Sequence, residues 1–507
     1  MLPQPRADIP QNSAEFETLP LVKPTGFREY DARWWFGIPG TKKAPELNLL
    51  GVQALGLGLG TLIHEMGVAP RIVTGHDYRF YSQSIKQALT LGLMQAGLEV
   101  NDIGLALSPT AYFAQFALDI PCVAMVTASH NENGWTGVKM GANKPLTFGP
   151  DEMGALKEIV LNGRFKPRAG GSYVRIDGMR ERHIDDVAKR VQLKRKIKVI
   201  CATGNGTSGA FAPEVLKRMG AEVIDLHTKL DWTFPHYNAN PEDAEMLHDM
   251  AHAVREHGAD LALGFDGDGD RCGVVDNEGD EIFADKIGLM LARDLSNTHK
   301  NAVFVADVKS TGAYMIDPVL KANGVRVDYW KTGHSYIKRR TTELGALAGF
   351  EKSGHFFFRP PLGYGYDDGL VAASMVLAML DRNPDKKLSD LKDALPKTYT
   401  SLTMSPHCDD EKKYGIVDQV VAQYEKLAKD GAKILGRGIR DVNTVNGARV
   451  TLDDGSWLLV RASSNKPELV TVVESMSSDD DMRALFRDEV KPRLASFPEV
   501  GAYNQEI

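Results

Sequence analysis

The sequence predicts a multidomain α/β protein that ends in a smaller, separate α+β domain. Two observations predict the α/β part: short apolar runs alternate with segments of helical period, and three of those runs lead directly into polar loops. A third observation sets the C-terminal part apart, because two strand patterns there precede one helix pattern. A chain of 507 residues has room for about three or four domains.

Six apolar runs are predicted to form the strands of the α/β part. They are Arg71–Thr74, Val123–Thr127, Lys198–Ala202, Leu261–Phe265, Ala302–Ala306 and Ala346–Phe350. The second, fourth and sixth runs continue into polar loops at residues 127–131, 266–271 and 351–355. Because ligands of α/β sheets bind at the carboxyl ends of strands, we expect these loops to converge on one cleft between domains.

The C-terminal domain is predicted from two strands and a capped helix. The strands are Trp457–Val460 and Leu469–Val473, and Ser478 is the predicted N-cap of the helix that follows. Residues 1–24 carry Pro, Glu and Asp without an apolar run, and they are predicted to be a loose tail. Domain boundaries near residues 170, 285 and 398 divide the rest into segments 25–170, 171–285, 286–398 and 399–507.

Composition and charge exclude several classes of protein. The net charge of −7 disfavours nucleic-acid binding, which depends on Lys and Arg. Four widely spaced cysteines, with no CxxC pair, argue against a zinc site or a disulfide scaffold and favour a reducing compartment. The longest uncharged stretch, Leu47–Ile63, is too short and polar for a membrane span and is predicted to be a helix packed on a sheet. We therefore expect a cytoplasmic protein without a membrane or nucleic-acid partner.

The acidic loop is the strongest candidate site. Asp266, Asp268 and Asp270 alternate with glycines, and carboxylates this close repel one another unless a cation lies among them. A calcium EF-hand does not fit, because Arg271 and Asn277 occupy positions that require Gly and Glu. Oxygen ligands favour Mg²⁺ or Ca²⁺, and Mg²⁺ commonly leaves positions open for a phosphate. The loop therefore predicts metal-assisted phosphoryl chemistry, with a solvated acidic turn as the alternative.

The serine loop contains the candidate phosphoryl acceptor. Ser129 follows an apolar strand beside His130 and Asn131, and Lys139 comes ten residues later. A hydrolase nucleophile elbow would read G-x-S-x-G, which this loop does not. By itself the loop is better explained as an ordinary turn with a local side-chain hydrogen bond. Together with a metal loop, it predicts a serine that carries a phosphoryl group.

Three further loops offer groups that suit a sugar phosphate. The segment Arg461–Lys466 supplies a guanidinium, two hydroxyls, an amide and an ammonium, which suit a phosphate dianion. The segment Lys331–Ser335 is a similar mixture after a predicted strand. In the third loop, Glu351 and Ser353 are able to hydrogen-bond vicinal hydroxyls. Each loop alone is also compatible with a surface turn.

A glycine pattern favours a different function. Gly204, Gly206 and Gly209 spell G-x-G-x-x-G between a strand and a helix beginning near Ala212, and Asp225 lies near the distance of a ribose-binding acid. This pattern predicts an NAD-dependent dehydrogenase. It leaves the acidic loop and the Arg461 loop unexplained, so we favour the alternative of a tight turn with close helix–strand packing.

Taken together, the loops resemble those of the α-D-phosphohexomutase family, in particular its bacterial phosphomannomutase/phosphoglucomutase branch. The likeness runs from about Phe27 to Glu474 and rests on the serine loop, the acidic loop, an opening motif at Phe27–Arg33, and loops at Asp307–Ser310 and Lys331–Ser335. The resemblance implies four domains around a central cleft, three of similar α/β topology with mixed sheets and a small α+β fourth domain.

The resemblance also implies an activity and its site residues. Hexose 6-phosphate and hexose 1-phosphate, of mannose and also glucose, would interconvert through a phosphoserine and a hexose 1,6-bisphosphate that also serves as activator. Ser129, His130, Lys139 and Arg33 would be catalytic, and Mg²⁺ would bind Asp266, Asp268, Asp270 and the phosphorylated Ser129. The implied substrate-binding residues are Arg271, Lys309, Lys331, His334, Glu351, Ser353, His355, Arg461, Ser463, Ser464 and Asn465.

Departures from the family pattern leave the preferred sugar open. Phe350, Lys352 and the pair Asn465-Lys466 replace residues common in the family's sugar and phosphate loops, and Trp34 replaces a glycine. A phosphoglucosamine mutase of the same family therefore stays an alternative, as does a catalytically inactive protein that binds sugar phosphates. Small-molecule sugar phosphates are the expected partners, and either a monomer or a homodimer is compatible with the sequence.

Overall fold

A computed structural model describes residues 2–464 and 466–507. The chain forms two compact units, the first of residues up to 284 together with 353–389 and the second of residues 285–352 together with 390–507. Among the described residues, none of the helices combines the length and apolar character that a membrane crossing requires.

The first sheet of the first unit is mixed and has six strands in the order β1-β5-β4-β2-β3-β6. Strands β2, β3, β4 and β6 are parallel, whereas β1 and β5 run antiparallel to their neighbours. The strands are β1 Ala32–Trp35, β2 Arg71–His76, β3 Glu99–Leu105, β4 Cys122–Val126, β5 Trp135–Gly141 and β6 Ser172–Arg175. The helices are α1 Ala14–Thr18, α2 Leu49–Glu65, α3 Ser82–Gln95, α4 Ser108–Ala117 and α5 Pro150–Leu161. Helix α2 confirms that the long uncharged stretch is a packed helix, since its apolar side chains belong to the core of this sheet.

The N-terminal segment differs from the prediction of a loose tail. Its backbone pairs with the following segment, because Arg6 N donates to the Pro20 carbonyl at 2.9 Å and Val22 N donates to the Arg6 carbonyl at 3.0 Å. Asn48, at the start of α2, accepts from Leu21 N at 2.9 Å and donates to the Phe16 carbonyl at 2.8 Å. Satisfied backbone groups therefore hold a segment that has too few apolar residues to signal its order in the sequence.

The second sheet of the first unit has five strands in the order β11-β10-β9-β7-β8. The strands are β7 Lys198–Ala202, β8 Glu222–Leu226, β9 Leu261–Phe265, β10 Cys272–Asp276 and β11 Glu281–Ile282, and the helices are α6 Met179–Ala188, α7 Ala212–Arg218 and α8 Ala244–His257. Strands β7 and β9 have the predicted bounds. Strand β7 is parallel to β8 and β9, whereas β10 is antiparallel to β9, so this sheet is also mixed.

The second unit begins with a parallel arrangement of three strands, in which β12 lies between β13 and β14. The strands are β12 Val303–Asp307, β13 Arg326–Trp330 and β14 Ala348–Phe350, and the helices are α9 Ala284–Thr298, α10 Ala313–Ile316, α11 Pro318–Ala322 and α12 His334–Leu344. The predicted strands at residues 302–306 and 346–350 are confirmed with small changes at their ends.

Residues 353–389 belong to the first unit, although the predicted boundaries grouped them with residues 286–398. The segment contains strand β15 Phe356–Phe358 and helix α13 Gly369–Asp381, which is apolar and buried along nearly its whole length. Asp368, the N-cap of α13, contacts His183 Nε2 at 3.1 Å. At the other end, Asp381 accepts from Lys194 N at 2.9 Å. These long-range contacts are made by polar residues whose partners the local pattern does not reveal.

The C-terminal domain is the predicted α+β domain, with a six-stranded sheet in the order β16-β21-β20-β19-β18-β17. After α14 Leu388–Asp393, its elements are β16 Tyr399–Thr400, α15 Asp410–Lys429, β17 Lys433–Ile434, β18 Arg437–Asn443, β19 Ala448–Leu452, β20 Trp457–Ala462, β21 Leu469–Ser475, α16 Asp479–Ala484 and α17 Lys491–Ala495. All neighbouring strands are antiparallel. Ser478 accepts from Asp481 N at 3.1 Å, which confirms it as the N-cap of α16.

Candidate active site

The serine loop leaves the carboxyl end of β4 with its hydroxyl turned toward the acidic loop. Ser129 is buried, and its φ of 52° lies in the left-handed region, which a residue with a side chain adopts at an energetic cost of about 1–3 kcal/mol. Its amide donates to Thr127 Oγ1 at 2.8 Å, and its hydroxyl donates to Asp266 Oδ2 at 3.0 Å. The two loops, which are 137 residues apart in the chain, therefore meet at one point.

The acidic loop follows β9 and lies directly against the serine loop. A Cβ added at Gly267 would come within 2.5 Å of the Ser129 carbonyl oxygen, so only glycine permits this approach. Asp266, Asp268 and Asp270 are all fully buried, and each offers an oxygen within 4.8 Å of the others. The sequence pattern thus produces a compact group of three carboxylates beside the serine hydroxyl.

The charges of this group fit a bound cation. Burial, followed by repulsion from Asp268 and Asp270, raises the pKa of Asp266 well above its usual value. Burial alone would also raise the pKa of Asp268, but Lys139 and the Ser108 hydroxyl hold it below its usual value. Among the described residues, one oxygen of Asp268 and one of Asp270 are buried without a hydrogen-bond partner. Hard oxygen donors in this state suit a divalent cation, which would satisfy those oxygens and the uncompensated charge.

Lys139 and Arg33 provide the positive charge nearest to the carboxylates and the serine loop. Lys139, on β5, donates to Asp268 Oδ2 at 2.7 Å and also to Asp270. Burial opposes its protonation, but these two carboxylates outweigh burial and raise the pKa of the Lys139 ammonium. Arg33, on β1, donates to the Thr127 carbonyl at 2.7 Å and pairs with Asp31 at 2.8 Å. Both predicted catalytic cations therefore contact one of the two central loops.

His130 lies next to the serine hydroxyl. Its Nδ1 is 3.3 Å from Ser129 Oγ. Desolvation, followed by the positive charges of Arg271 and Arg33, lowers the pKa of His130 well below its usual value. A lowered pKa favours the neutral imidazole, which is able to exchange a hydrogen bond with the serine without adding charge.

Arg271 and His355 form a pair at the end of the acidic loop. Arg271 Nε donates to His355 Nε2 at 3.0 Å, and its NH1 group donates to Glu242 at 2.9 Å. Because the arginine can only donate, His355 Nε2 is the acceptor of this bond, and His355 Nδ1 lies 3.1 Å from Asp367 Oδ2. Ser353 is buried two residues before His355. The first unit thus brings the serine loop, the acidic loop, Lys139, Arg33 and His355 together, whereas Ser353 is described only by its burial.

Asp77 and Arg79 are site residues that the sequence analysis did not identify. Both are buried in the loop that follows β2, and they form an ion pair with each other. Asp77 accepts from Thr127 Oγ1 at 2.9 Å, and Arg79 donates to the Ser129 carbonyl at 3.1 Å and to the Asn131 carbonyl at 2.7 Å. The pair therefore holds the serine loop on both sides of Ser129. The available signal was their position at the carboxyl end of a predicted strand.

Replacing Asp77 by Ala is expected to lower the stability of the first unit by about 3–5 kcal/mol, because it leaves the buried Arg79 guanidinium unpaired. Thermal unfolding of the variant measures the effect. Asp177→Ala, which removes an exposed partner of Arg175, serves as the matched control and is expected to change stability by less than about 1 kcal/mol. Equal losses of stability in the two variants would contradict the role of Asp77 in holding the serine loop through Arg79.

The predicted site residues of the second unit lie at strand and helix termini. Lys309 follows β12, Lys331 follows β13, His334 opens α12 and Glu351 follows β14, while Arg461 and Ser463 lie at the end of β20. The side chains of His334, Glu351, Arg461 and Ser463 are buried, whereas those of Lys309, Lys331 and Ser464 are partly exposed. Asn465 lies outside the described residues.

Lys413 is a further residue that the sequence analysis missed. It is buried on α15 and donates to the Ser463 carbonyl at 2.5 Å and to the Lys466 carbonyl at 2.9 Å. It therefore links two backbone positions of the Arg461 loop, three residues apart. A lysine in the polar first turns of a helix looks like an ordinary surface residue in the sequence, so no signal marked it.

The glycine pattern after β7 packs against the acidic loop. Thr207 N donates to the Gly267 carbonyl at 3.2 Å, and Ser208 Oγ donates to the Asp266 carbonyl at 2.8 Å. Helix α7 begins at Ala212 as predicted. The pattern therefore has a structural explanation as a tight turn that supports the carboxylates, in agreement with the interpretation favoured over a dinucleotide site.

Comparison with known families covers nearly the whole chain. Its four segments match the domains of one family, described as phosphoglucomutase/phosphomannomutase alpha/beta/alpha domains I, II and III and the C-terminal domain. The matched residues are 26–167, 181–279, 283–399 and 408–491, respectively.

Individual relatives agree with the family match. A phosphomannomutase/phosphoglucomutase of Pseudomonas syringae pv. tomato is 31% identical over 474 residues, covering 93% of this chain and 96% of the relative. A probable phosphoglucosamine mutase of Methanothermobacter thermautotrophicus is 28% identical over 422 residues, covering 82% and 89%. The crystal structure of a phosphoglucomutase/phosphomannomutase family protein from Burkholderia thailandensis has a TM-score of 0.82 and 28% identity, covering 95% of this chain and 99% of that one.

Proposed function

Because the chain belongs to the phosphoglucomutase/phosphomannomutase family and is therefore a phosphohexomutase, an isomerase, we propose that it interconverts hexose 6-phosphate and hexose 1-phosphate of mannose and glucose through phosphorylated Ser129. The observation that carries the proposal is the 3.0 Å contact between the Ser129 hydroxyl and Asp266. This contact supports the proposal because phosphoryl transfer requires the acceptor to lie close to a bound cation.

The reaction consists of two transfers in opposite directions. In the first, the bond between phosphorus and Ser129 Oγ breaks and a bond to a hydroxyl oxygen of the sugar phosphate forms, giving hexose 1,6-bisphosphate. After the bisphosphate reorients, its other phosphoryl group returns to Ser129 Oγ. In each transfer the sugar and serine oxygens exchange one proton, and we assign this exchange to Lys139 beside His130 and Arg33. Free hexose 1,6-bisphosphate would act as activator by reloading Ser129.

Asp266, Asp268 and Asp270, with an oxygen of the phosphorylated serine, would hold Mg²⁺. The chemistry that the ion supplies when bound is positive charge against the oxygens of the transferred group. Lys139, in contact with Asp268 and Asp270, and Arg33, in contact with the serine loop, would add to that charge. Asp77 and Arg79 keep the serine loop in its strained conformation, so that little reorganisation is needed when the reaction occurs.

The second unit supplies the groups proposed to bind the rest of the substrate. Arg461, Ser463, Ser464 and Asn465 would hold the phosphate that does not react, with Lys309, Lys331 and His334 assisting. Glu351, together with Ser353 of the first unit, would bind the sugar hydroxyls. Arg271 and His355, also in the first unit, are further proposed substrate-binding residues. Contacts restricted to O3 and O4 would be insensitive to the configuration at C2, which explains why mannose and glucose are proposed together.

A coupled assay tests the proposal with mannose 1-phosphate, glucose 1-phosphate and glucosamine 1-phosphate, each with its bisphosphate activator. We expect turnover with the first two sugars to exceed that with glucosamine 1-phosphate by about tenfold or more. Preference for glucosamine 1-phosphate would instead favour the phosphoglucosamine mutase alternative, which the Methanothermobacter relative supports. Absence of turnover with every sugar phosphate would contradict the proposal.

A further inference from the structure

Asn446 lies in the turn between β18 and β19, between two segments that are proposed to bind phosphate. Its side-chain oxygen accepts from Arg461 Nε at 3.1 Å and from Thr332 N at 3.2 Å. Both partners can only donate, which identifies the atom that faces them as the amide oxygen. We propose that Asn446 is a positioning residue that orients the Arg461 guanidinium for the non-reacting phosphate; this inference rests on the proposed function.

The orientation of Arg461 matters because of the shape of its side chain. A guanidinium recognises phosphate through parallel N–H groups in one plane, so the plane must face the ligand before binding. Arg461 NH1 also donates to the Ala462 carbonyl at 2.9 Å. With Nε held by Asn446 and NH1 held by the backbone, rotation of the plane is restricted. Because Asn446 is neutral, it restricts the guanidinium without cancelling its charge.

The turn that contains Asn446 is built directly against Arg461. Gly447 has a φ of 85°, and a Cβ at this position would lie 2.3 Å from the Val460 carbonyl oxygen and 2.7 Å from the Arg461 Cα. Glycine therefore allows both the left-handed turn and the close approach. This packing fixes the distance between the Asn446 amide and the arginine that it orients.

The same amide oxygen connects Arg461 to the loop after β13. Thr332 lies between Lys331 and Gly333, and its hydroxyl donates to Asp307 Oδ2 at 3.1 Å. Asn446 therefore fixes the backbone beside Lys331 while it fixes Arg461. One side chain therefore orders both proposed phosphate-binding segments before the substrate arrives. This lowers the entropy that these segments would otherwise lose on binding.

A second residue of the hairpin supports the same interpretation. Arg449, at the start of β19, is buried between the rings of Tyr329 and Trp457, with centroid distances of 4.0 and 3.8 Å. It donates to the Val308 carbonyl at 2.5 Å and the Ser310 carbonyl at 2.8 Å, on either side of Lys309. The hairpin thus contacts the backbone on both sides of Lys309 and next to Lys331, as well as the side chain of Arg461.

The test replaces Asn446 by Ala and measures steady-state kinetics with the hexose 1-phosphate that the wild type uses, with inorganic phosphate as a competitive probe. We expect KM and the inhibition constant of phosphate to rise about tenfold, because a hydrogen bond to a charged group is lost. The value of kcat is expected to change less than about threefold, since the non-reacting phosphate is held equally in ground and transition states. Asn446→Ser is a second variant in case the Ala variant does not fold, because turns commonly contain serine. The serine side chain is shorter than that of asparagine, so we expect the same rise in KM.

Asn443→Ala is the matched control in the same hairpin. The Asn443 side chain accepts from Val445 N at 3.0 Å and donates to the Tyr329 carbonyl at 3.5 Å. Its removal tests whether general loosening of the hairpin affects the phosphate site. We expect KM to stay within about twofold of the wild type. A tenfold rise in KM for this control would overturn the specific role of Asn446.

A double-mutant cycle decides whether Asn446 acts through Arg461. In an Arg461→Ala background, Asn446→Ala is expected to change KM less than about twofold, because its partner is gone. A full tenfold effect in both backgrounds would overturn the inference, as would an unchanged KM in an active Asn446→Ala enzyme. A wild type that turns over no hexose phosphate would refute the proposed function instead, so the two failures are distinguishable.

Discussion

Replacing Ser129 by Ala is expected to lower kcat for hexose phosphate interconversion by about 10⁴-fold or more. The reason is that the methyl group offers no oxygen to carry the phosphoryl group between the two transfers. The coupled assay measures the loss. Intact-protein mass after incubation with hexose 1,6-bisphosphate measures it independently, because the wild type is expected to gain one phosphoryl group and the variant none.

Ser374→Ala is the matched control for this experiment. Ser374 is a buried serine in α13, and its hydroxyl donates to the Val371 carbonyl of the same helix at 2.7 Å. We expect this variant to keep turnover within about threefold of the wild type and to accept the phosphoryl group. A Ser129→Ala enzyme with turnover within tenfold of the wild type would refute the phosphoserine route.

Removal of divalent cations with a chelator is expected to reduce turnover to less than about 1% of its initial value, and added Mg²⁺ is expected to restore it. The three buried carboxylates of the acidic loop carry more negative charge than Lys139 compensates, so a cation is expected to stabilise the fold as well. Thermal unfolding with and without Mg²⁺ measures this effect without reference to catalysis. Chelator saturated with Mg²⁺ beforehand is the control for direct effects of the chelator.

A pair of variants at the two ends of β9 localises the metal response. Asp266→Asn replaces a proposed carboxylate ligand by an amide and is expected to raise the Mg²⁺ concentration that gives half-maximal activity by about tenfold or more. Asp260→Asn is the matched control. Asp260 lies just before the same strand, where its carboxylate accepts from Lys198 N at 2.7 Å, and we expect its replacement to leave that Mg²⁺ concentration unchanged. Full turnover in the presence of chelator would contradict a metal-dependent reaction.

The acidic loop could be recognised from the sequence as a candidate metal site because its pattern consists of residues that are close together in the chain. Asp266, Asp268 and Asp270 alternate with glycines, and this local pattern alone indicates a hard cation. Strands β7 and β9 have the predicted bounds, since a short, mostly apolar run that ends in a polar loop is a strong signal for a buried strand. The matched family domains cover these loops, as the resemblance implied.

The supports of those loops were not predictable, because each acts across a long stretch of sequence. Arg79 donates to the Ser129 carbonyl 50 residues away, and Asn446 accepts from Thr332 N 114 residues away. Apart from the position of Arg79 after a predicted strand, nothing in the residues around Arg79 or Asn446 distinguishes them from other polar residues in loops. The ordered structure of the N-terminal segment could not be predicted for the same reason. Asn48 holds this segment through hydrogen bonds to backbone groups, which leave no pattern in the sequence.

The sequence by itself determined the α/β class and the separate C-terminal domain, and it was sufficient to propose the serine, the three carboxylates and the cationic loops as site residues. Only the tertiary structure decided that the Ser129 hydroxyl meets Asp266, that Lys139 lies on the carboxylates, and that residues 353–389 join the first unit. The physical reason is that periodicity and short motifs report local burial and local chemistry. Which buried charge meets which partner depends instead on packing between elements that are distant in the chain.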